Sequence, residues 1–283
     1  IIFARRYGAS NTFEKVNYPI GFNGRSGATP LGNLVDDFMV KQSNTKAVPF
    51  DWNNPDHAGN PFNRRDPRIL ATVLKNGDKL SIDGVRPNNP AIEIWAGGAD
   101  GKDLPGTSKT GYYLNKYIDP TRNLPQGQSS IHTWILFRYG EILLNYAEAA
   151  NEAYGPMQSY PGAGRTPNEA ISDIRKRAAM PEFRTAATRI TDQNEMRELI
   201  RLERRVELAF EDHRLWDVRR WMIAPETLGV PARGIEAVKN EDGTITYSSF
   251  VVENRVWNDR MYFYPVPLKE LKITDGWGQN PLW

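Results

Sequence analysis

The chain has 283 residues, 40% of them hydrophobic and 25% charged, with 36 basic against 34 acidic side chains for a formal charge of +2. This is the composition of a folded chain able to bury about three quarters of its unfolded surface, and its balanced charge excludes a general pull toward nucleic acid or an anionic membrane. The absence of cysteine excludes disulfides, zinc-thiolate sites and cysteine nucleophiles, and no apolar run reaches the roughly 18 to 20 residues of a membrane helix.

Residues 1–130 are rich in turns. IIFARRYG reads as an extended strand, buried over Ile1–Ala4. A chain that opens inside such a strand, without methionine or leader, is expected to be a fragment with partner structure upstream. ATPLGNLVDDFM predicts a short helix with Thr29 as N-cap and Pro30 at its first position. VPFDWNNPDHAGNPFNRRDP, residues 48–67, carries proline and asparagine throughout and predicts a long loop. TVLKNGDKLSI predicts a hairpin turning on Asn76-Gly77, and ADGKDLPGTSKTGYY a loop with a turn at Asp100-Gly101.

From 131 to 221 the pattern takes a helical period. IHTWILFRYGEILLNYAEAANEAYG sets Ile135, Tyr139, Ile142, Leu143, Tyr146, Ala150 and Tyr154 on one stripe, closed by Gly155-Pro156. TPNEAISDIRKRAAMP opens with a capping box, Thr166 to Glu169, and turns Ile171, Ile174 and Ala178 inward until Pro181 stops it. DQNEMRELIRLERRVELAFEDH opens with Asp192 and Glu195 at cap spacing. Met196, Leu199, Ile200, Glu203, Val206 and Phe210 form its inner face, with a single charge. In the tail, 222–283, AVKNEDGTITYSSFVV predicts a hairpin at Asp242-Gly243 and RMYFYPVPLKEL a strand running into a turn.

Candidate chemistry is sparse. Between Glu195 and Trp221 seven basic and seven acidic residues interleave. That is the pattern of a helical seam held by ion pairs, each exposed pair contributing about a few tenths of a kcal/mol, rather than a nucleic-acid face. Glu203 and Glu207 stand four apart, a spacing that also fits a hydrolase carboxylate pair. Ser43 to Lys46 and Lys109 to Gly111 match two motifs of penicillin-binding enzymes, but no S-D-N lies between them. The glycines from Gly97 to Lys102 lack P-loop spacing, and Asp103 stands where Ser or Thr is needed. His57, His132 and His213 show no metal-ligand spacing. Asp and Asn clusters at 51–56 and 240–242 permit a structural calcium ion without requiring one, and no cofactor is implied.

Binding is the chemistry that remains. The loops at 13–27 and 48–62 combine Tyr18, Phe22 and Trp52 with Asn23, Arg25, Asn53, Asn54, Asp56 and His57. Sugars stack their C–H faces on aromatic rings while planar polar groups take the hydroxyls, and loops are where such sites sit. Anchoring of long loops to the core would use the same aromatics. Trp95 and Tyr112 are further candidates, with hairpin or core packing as the competing explanation.

Eight ordered segments give the chain a resemblance: IIFARRYG, TPLGNLVDDF, NRRDPRILATV, SKTGYYLNKYIDP, FRYGEILLNYAEAANE, AISDIRKRAAMP, IRLERRVELAFEDHRLWDVRRW and YPVPLKEL with QNPLW. Together they resemble the C-terminal half of the SusD/RagB family of outer-membrane nutrient-binding lipoproteins. The resemblance implies a mainly α fold with tetratricopeptide-like helices partly missing, loop-rich regions and short β-hairpins. Residues 1–283 would then be the C-terminal part of one domain: 1–130 facing ligand, 131–221 helical, 222–283 a β/turn segment. It implies a non-catalytic protein on the outer face of the outer membrane, lipid-anchored through an absent N-terminal Cys. Such a protein captures glycan, or peptide in some members, for a SusC-type TonB-dependent transporter. A glycoside hydrolase using a carboxylate pair and a purely structural scaffold docked on the transporter compete with this reading. Within VELAFEDHRLWDVRRW, Trp216 and Trp221 would pack the helix end against the domain.

Overall fold

Helix-period sequence between 139 and 207 builds the regular part of the molecule, which a computed structural model describes for residues 1–82 and 90–283. Helices α5 (Tyr139–Tyr154), α6 (Pro167–Arg177) and α7 (Gln193–Glu207) pack on one another. Leu144, Ala147, Ala170, Ile171, Met196 and Ile200 are sealed between them. Their starts follow the local sequence. Thr166 Oγ1 accepts from Glu169 N at 3.3 Å while Glu169 Oε2 accepts from Thr166 N at 2.7 Å, closing the capping box. Asp192 Oδ1 accepts from Glu195 N at 2.8 Å.

The buried face of α5 is rotated from the expected stripe. Leu143, Leu144, Ala147, Ala150 and Asn151 are buried, whereas Tyr139 and Tyr154 are exposed. The helix begins only at Tyr139, because the β-branched and aromatic run before it forms strand β6 (Thr133–Phe137). β6 pairs antiparallel with β1 (Phe3–Arg6), Ala4 opposite Ile135. Phe13 and Tyr117 pack on Trp134 of this ribbon. Ile1, Ile2 and Phe3 lie beyond that contact and are exposed, so the predicted strand forms but its predicted burial does not.

The loop-rich part has its own core, with Tyr18, Phe38, Leu80, Ile92, Tyr112 and Tyr113 at its centre. The two cores meet on α7, where Val206 belongs to the loop core and Met196 and Ile200 to the helical core. The hairpin β7 (Ala232–Lys239) and β8 (Ile245–Glu253) turns at Gly243 with φ 83°, as Asp242-Gly243 predicts, and buries Ile235 and Ala237 in the loop core. Gly111 (φ 75°) crosses β7 so closely that a Cβ would lie 2.3 Å from the Ile235 carbonyl oxygen, and no other residue fits.

Four expectations change. The Asn76-Gly77 turn forms, with Gly77 at φ 84°, but strand β4 (Val73–Leu74) pairs with β5 (Tyr113–Leu114) instead of folding back on residues 79–82. Leu80 and Ile82 enter the core instead. Helix α2 (Gly32–Val35) starts two residues late, with extended Leu31 rather than Thr29 at its N-cap. The 48–67 loop contains helix α3 (Pro55–Gly59), because Asn54 caps it and Pro55 suits a first helical position. Near the C-terminus, Met261 and Tyr262 sit in a 3-10 turn over Asp259–Tyr262, followed by helix α10 (Leu268–Ile273) rather than a strand. Asn258 caps the turn, and Pro265 and Pro267 supply no N–H for a ladder. The whole is mostly helical with short antiparallel strand pairs and loops.

Candidate functional site

Each predicted binding residue has a definite place. Tyr18, Phe22 and Tyr112 are 0–2% exposed and belong to the loop core. The Tyr18 hydroxyl donates to the Asp119 carbonyl, and burial pushes its pKa upward. These three rings have no face left for a ligand. Turn residues beside an aromatic mark a loop but do not tell which way the ring points. Trp52 is half-buried, donates Nε1 to Asp36 Oδ2 at 3.1 Å and meets Phe50 edge-on at 5.1 Å. Those are the contacts of a loop anchor. Trp95 is half-buried under Lys239 Nζ, 5.0 Å from its ring centre. Asn23 and Arg25 are exposed, Asn23 holding a left-handed φ of 65° that closes a 3-10 turn. Asn53 folds back on Asp51 Oδ1, and Asn54 Oδ1 accepts from Asp56 N. Among the described residues no group of three His, Cys, Asp or Glu could hold a metal ion.

The 48–62 loop nevertheless shapes a cleft. Helix α3 projects His57 and Asp56, and the chain then returns beside strand β2 (Val40–Lys41). Between them lies a cavity of about 370 Å³ lined by Gln42, Asn54, Asp56, His57, Asn60, Asn63 and Arg64, among others. Phe50 forms an apolar patch, its ring stacked on His57 at 5.5 Å. His57 Nδ1 accepts from Asp51 N at 3.1 Å, which fixes the imidazole and leaves Nε2 free to bind. The side chains of Gln42, Asp56, Asn60, Asn63 and Arg64 make no hydrogen bond or ion pair with described residues. A concave surface with unengaged planar polar groups has donors and acceptors available to a ligand. Asn60, Asn63 and Arg64 share the loop composition that singles out Asn53 and Asn54. Gln42 reaches the cleft from a neighbouring strand and has no local signal.

A larger cleft, about 580 Å³, runs between Thr29–Leu34, the end of α7, helix α8 (Arg214–Arg220) and residues 227–232. Its walls include Leu31, Leu208, Phe210, Leu228 and Val230, and several of its polar groups are engaged, Arg255 with Glu253 and Thr227 with Ile223 O among them. Asn33 bonds Pro231 O and Arg233 N, and Arg205 pairs with Asp37. Trp216 lines it and is 60% exposed, against the expectation that it packs the helix end. The buried positions of α8 are Asp217 and Val218, one step past it. Trp221 does pack, donating Nε1 to Glu148 Oε1 at 2.7 Å beneath Arg220.

The carboxylate pair of α7 is not a hydrolytic pair. Glu203 and Glu207 are 1% and 4% exposed. Glu203 is held by Arg68 at 2.9 Å and by Arg175, and Glu207 by Arg138 and Arg177, each at 2.6 Å, and by Arg68 at 3.1 Å. Burial alone would raise the Glu207 pKa, but the arginines outweigh it and hold the carboxyl below its usual range. A general acid needs the opposite shift. The inner face of α7 thus carries several buried charges where the spacing suggests one.

Comparison with known proteins agrees with this architecture. A SusD-like protein of Bacteroides fragilis superposes with a TM-score of 0.79 at 29% identity over 100% of this chain. A SusD-like carbohydrate-binding protein of the same species superposes at 0.70 with 23% identity over 96%. SusD-like protein P38 of Formosa agariphila is 30% identical over 135 residues, 46% of this chain. The chain spans about half of the two solved chains, 54% and 53%, and the matched segment is 24% of P38. The sequence profile of the SusD family matches residues 2–283, and the chain belongs to that family.

Proposed function

We propose that this chain serves non-catalytic capture of an oligosaccharide or polysaccharide at the outer face of the outer membrane, for delivery to a SusC-type TonB-dependent transporter. Membership of the SusD family supports the reading. The observation that carries it is the polar cleft, in which amide, carboxylate, imidazole and guanidinium groups converge with five side chains unengaged. Amides and a fixed imidazole match vicinal hydroxyls, each hydrogen bond contributing about 0.5–1.5 kcal/mol. Among the described residues no helix is long and apolar enough to cross a membrane.

Isothermal titration calorimetry against soluble polysaccharides and mixed peptides tests the reading. Saturable heat with a glycan is expected, weakened roughly threefold to tenfold by Asn63→Ala at an exposed position that leaves the fold intact. Heat from peptides alone would replace glycan capture by peptide capture. Turnover of a glycoside would contradict the non-catalytic assignment.

A further inference from the structure

The polar cleft continues into a second cavity of about 240 Å³ through shared walls at Lys41, Gln42 and Arg64. Three cations line the combined groove, Lys41, Arg64 and Arg65, against one carboxylate, Asp56. None of the three is paired with a carboxylate among the described residues. Lys41 Nζ donates to the Ala179 carbonyl at 2.7 Å. Arg65 is 7% exposed and donates to three carbonyls, Phe38 O and Pro61 O at 2.7 Å each and Val35 O, with its guanidinium 4.1 Å from the Phe50 ring centre. Carbonyls take its donors, and the carboxylates of Asp36, Asp37 and Asp66 lie near enough to offset part of its charge, so the free cations of the groove are Arg64 and Lys41. Burial lowers the Arg65 pKa to about 10, which leaves it cationic at neutral pH. The Arg64 side chain has no partner among the described residues, and its backbone is held in the left-handed region at φ 53°. An arginine costs energy in that conformation, and Lys41 N, bonded to Arg64 O at 2.7 Å, holds it there.

This arrangement differs from the ion network around α7. Around α7 the arginines are matched to carboxylates, and the whole chain carries only +2. The groove therefore combines an excess of cations over carboxylates in its walls with free amides. A guanidinium that can bind in a fork, with an ammonium beside it, suits the planar or tetrahedral oxygens of a carboxylate or sulfate. The amides of Gln42, Asn60 and Asn63 suit the hydroxyls around such a group. Nucleic acid would need open stacking surfaces, but the two rings in the groove wall, Phe50 and His57, stack on each other, and Phe50 is 9% exposed.

Resting on the glycan-capture reading, we propose that this groove selects an anionic glycan, with Arg64 and Lys41 gripping a sulfate ester or uronate carboxylate and the amides holding neighbouring hydroxyls. The test is calorimetric titration of the chain with a sulfated polysaccharide (carrageenan), a uronate polymer (polygalacturonate), a neutral one (dextran) and single-stranded DNA, each at low and high salt. Carrageenan or polygalacturonate should bind, and which of them does identifies the anionic group. Binding should weaken with salt, and by at least about tenfold in Arg64→Asn. Asparagine tolerates the left-handed backbone, so an unchanged melting temperature separates lost binding from lost fold. Lys41→Gln should weaken binding in the same direction. Dextran bound as tightly as the polyanions, with Arg64→Asn silent, overturns the inference and leaves glycan capture standing. DNA bound as tightly as carrageenan overturns it in favour of a general polyanion surface. Binding of peptides with no glycan bound contradicts the reading beneath it.

Discussion

Single residues show why the charged stretch around α7 is ordered as it is. Asp66 and Arg68, Arg138, Arg175 and Arg177, and Glu203, Glu207 and Glu211 come from four separate segments and close into one largely buried ion network. Each of the segments NRRDPRIL, FRYGE, AISDIRKRA and RLERRVELAFED contributes members, so the network accounts physically for much of the family resemblance. Removing one partner strands a buried charge. Glu203→Gln is expected to cost about 3 kcal/mol or more in urea unfolding, and a loss under 1 kcal/mol would mean the pairing is not structural. Asp36 behaves oppositely. Burial, opposed by Arg65 and the Trp52 donor, raises its carboxyl to about 6 from 3.8. A carboxyl raised on folding contributes stability below about pH 4 that is lost as pH rises through about 6. Asp36→Asn, which keeps an acceptor for Trp52, should therefore raise stability at pH 7 by on the order of 1–2 kcal/mol. It should also flatten the pH dependence of thermal melts between pH 4 and 6, and a lower melting point at pH 7 would contradict this. The interleaved charges are legible in the sequence. Their partners are not, since Arg68 lies 135 residues from Glu203.

At the scale of elements, local signals mostly come true, with the Thr29 cap an exception, and pairings set by distant partners mostly do not, with the hairpin at Asp242-Gly243 an exception. Caps act over three residues, so Thr166 with Glu169 and Asp192 with Glu195 mark helix starts correctly. Thr166→Ala should lower stability by about 1 kcal/mol in thermal unfolding and leave ligand affinity unchanged, because α6 lies outside the cleft walls. Strand partners are set by the whole chain, which is why Val73 finds Leu114 rather than the other side of its own turn. The lining of the candidate cleft is partly legible for the same reason. Asn54, Asp56 and His57 stand out by loop composition and do line the cleft. Arg64 and Gln42 join them only through the return of the loop against β2, and Tyr18, Phe22 and Tyr112 point inward under the packing demand of the loop core.

Across the whole molecule, two cores joined along α7 hold a set of loops in fixed relation. A rigid scaffold carrying exposed, unengaged polar groups on a loop is the general form of a binding protein. The ion network and the buried tyrosines supply the rigidity, and the groove from Lys41 to Arg64 is where recognition is proposed. Affinity electrophoresis of the chain through gels cast with individual polysaccharides tests glycan capture most directly. Retardation by at least one polysaccharide, reduced in Arg64→Asn or Asn63→Ala, is the predicted result. Unretarded migration through every polysaccharide, together with saturable binding of peptides, would contradict it.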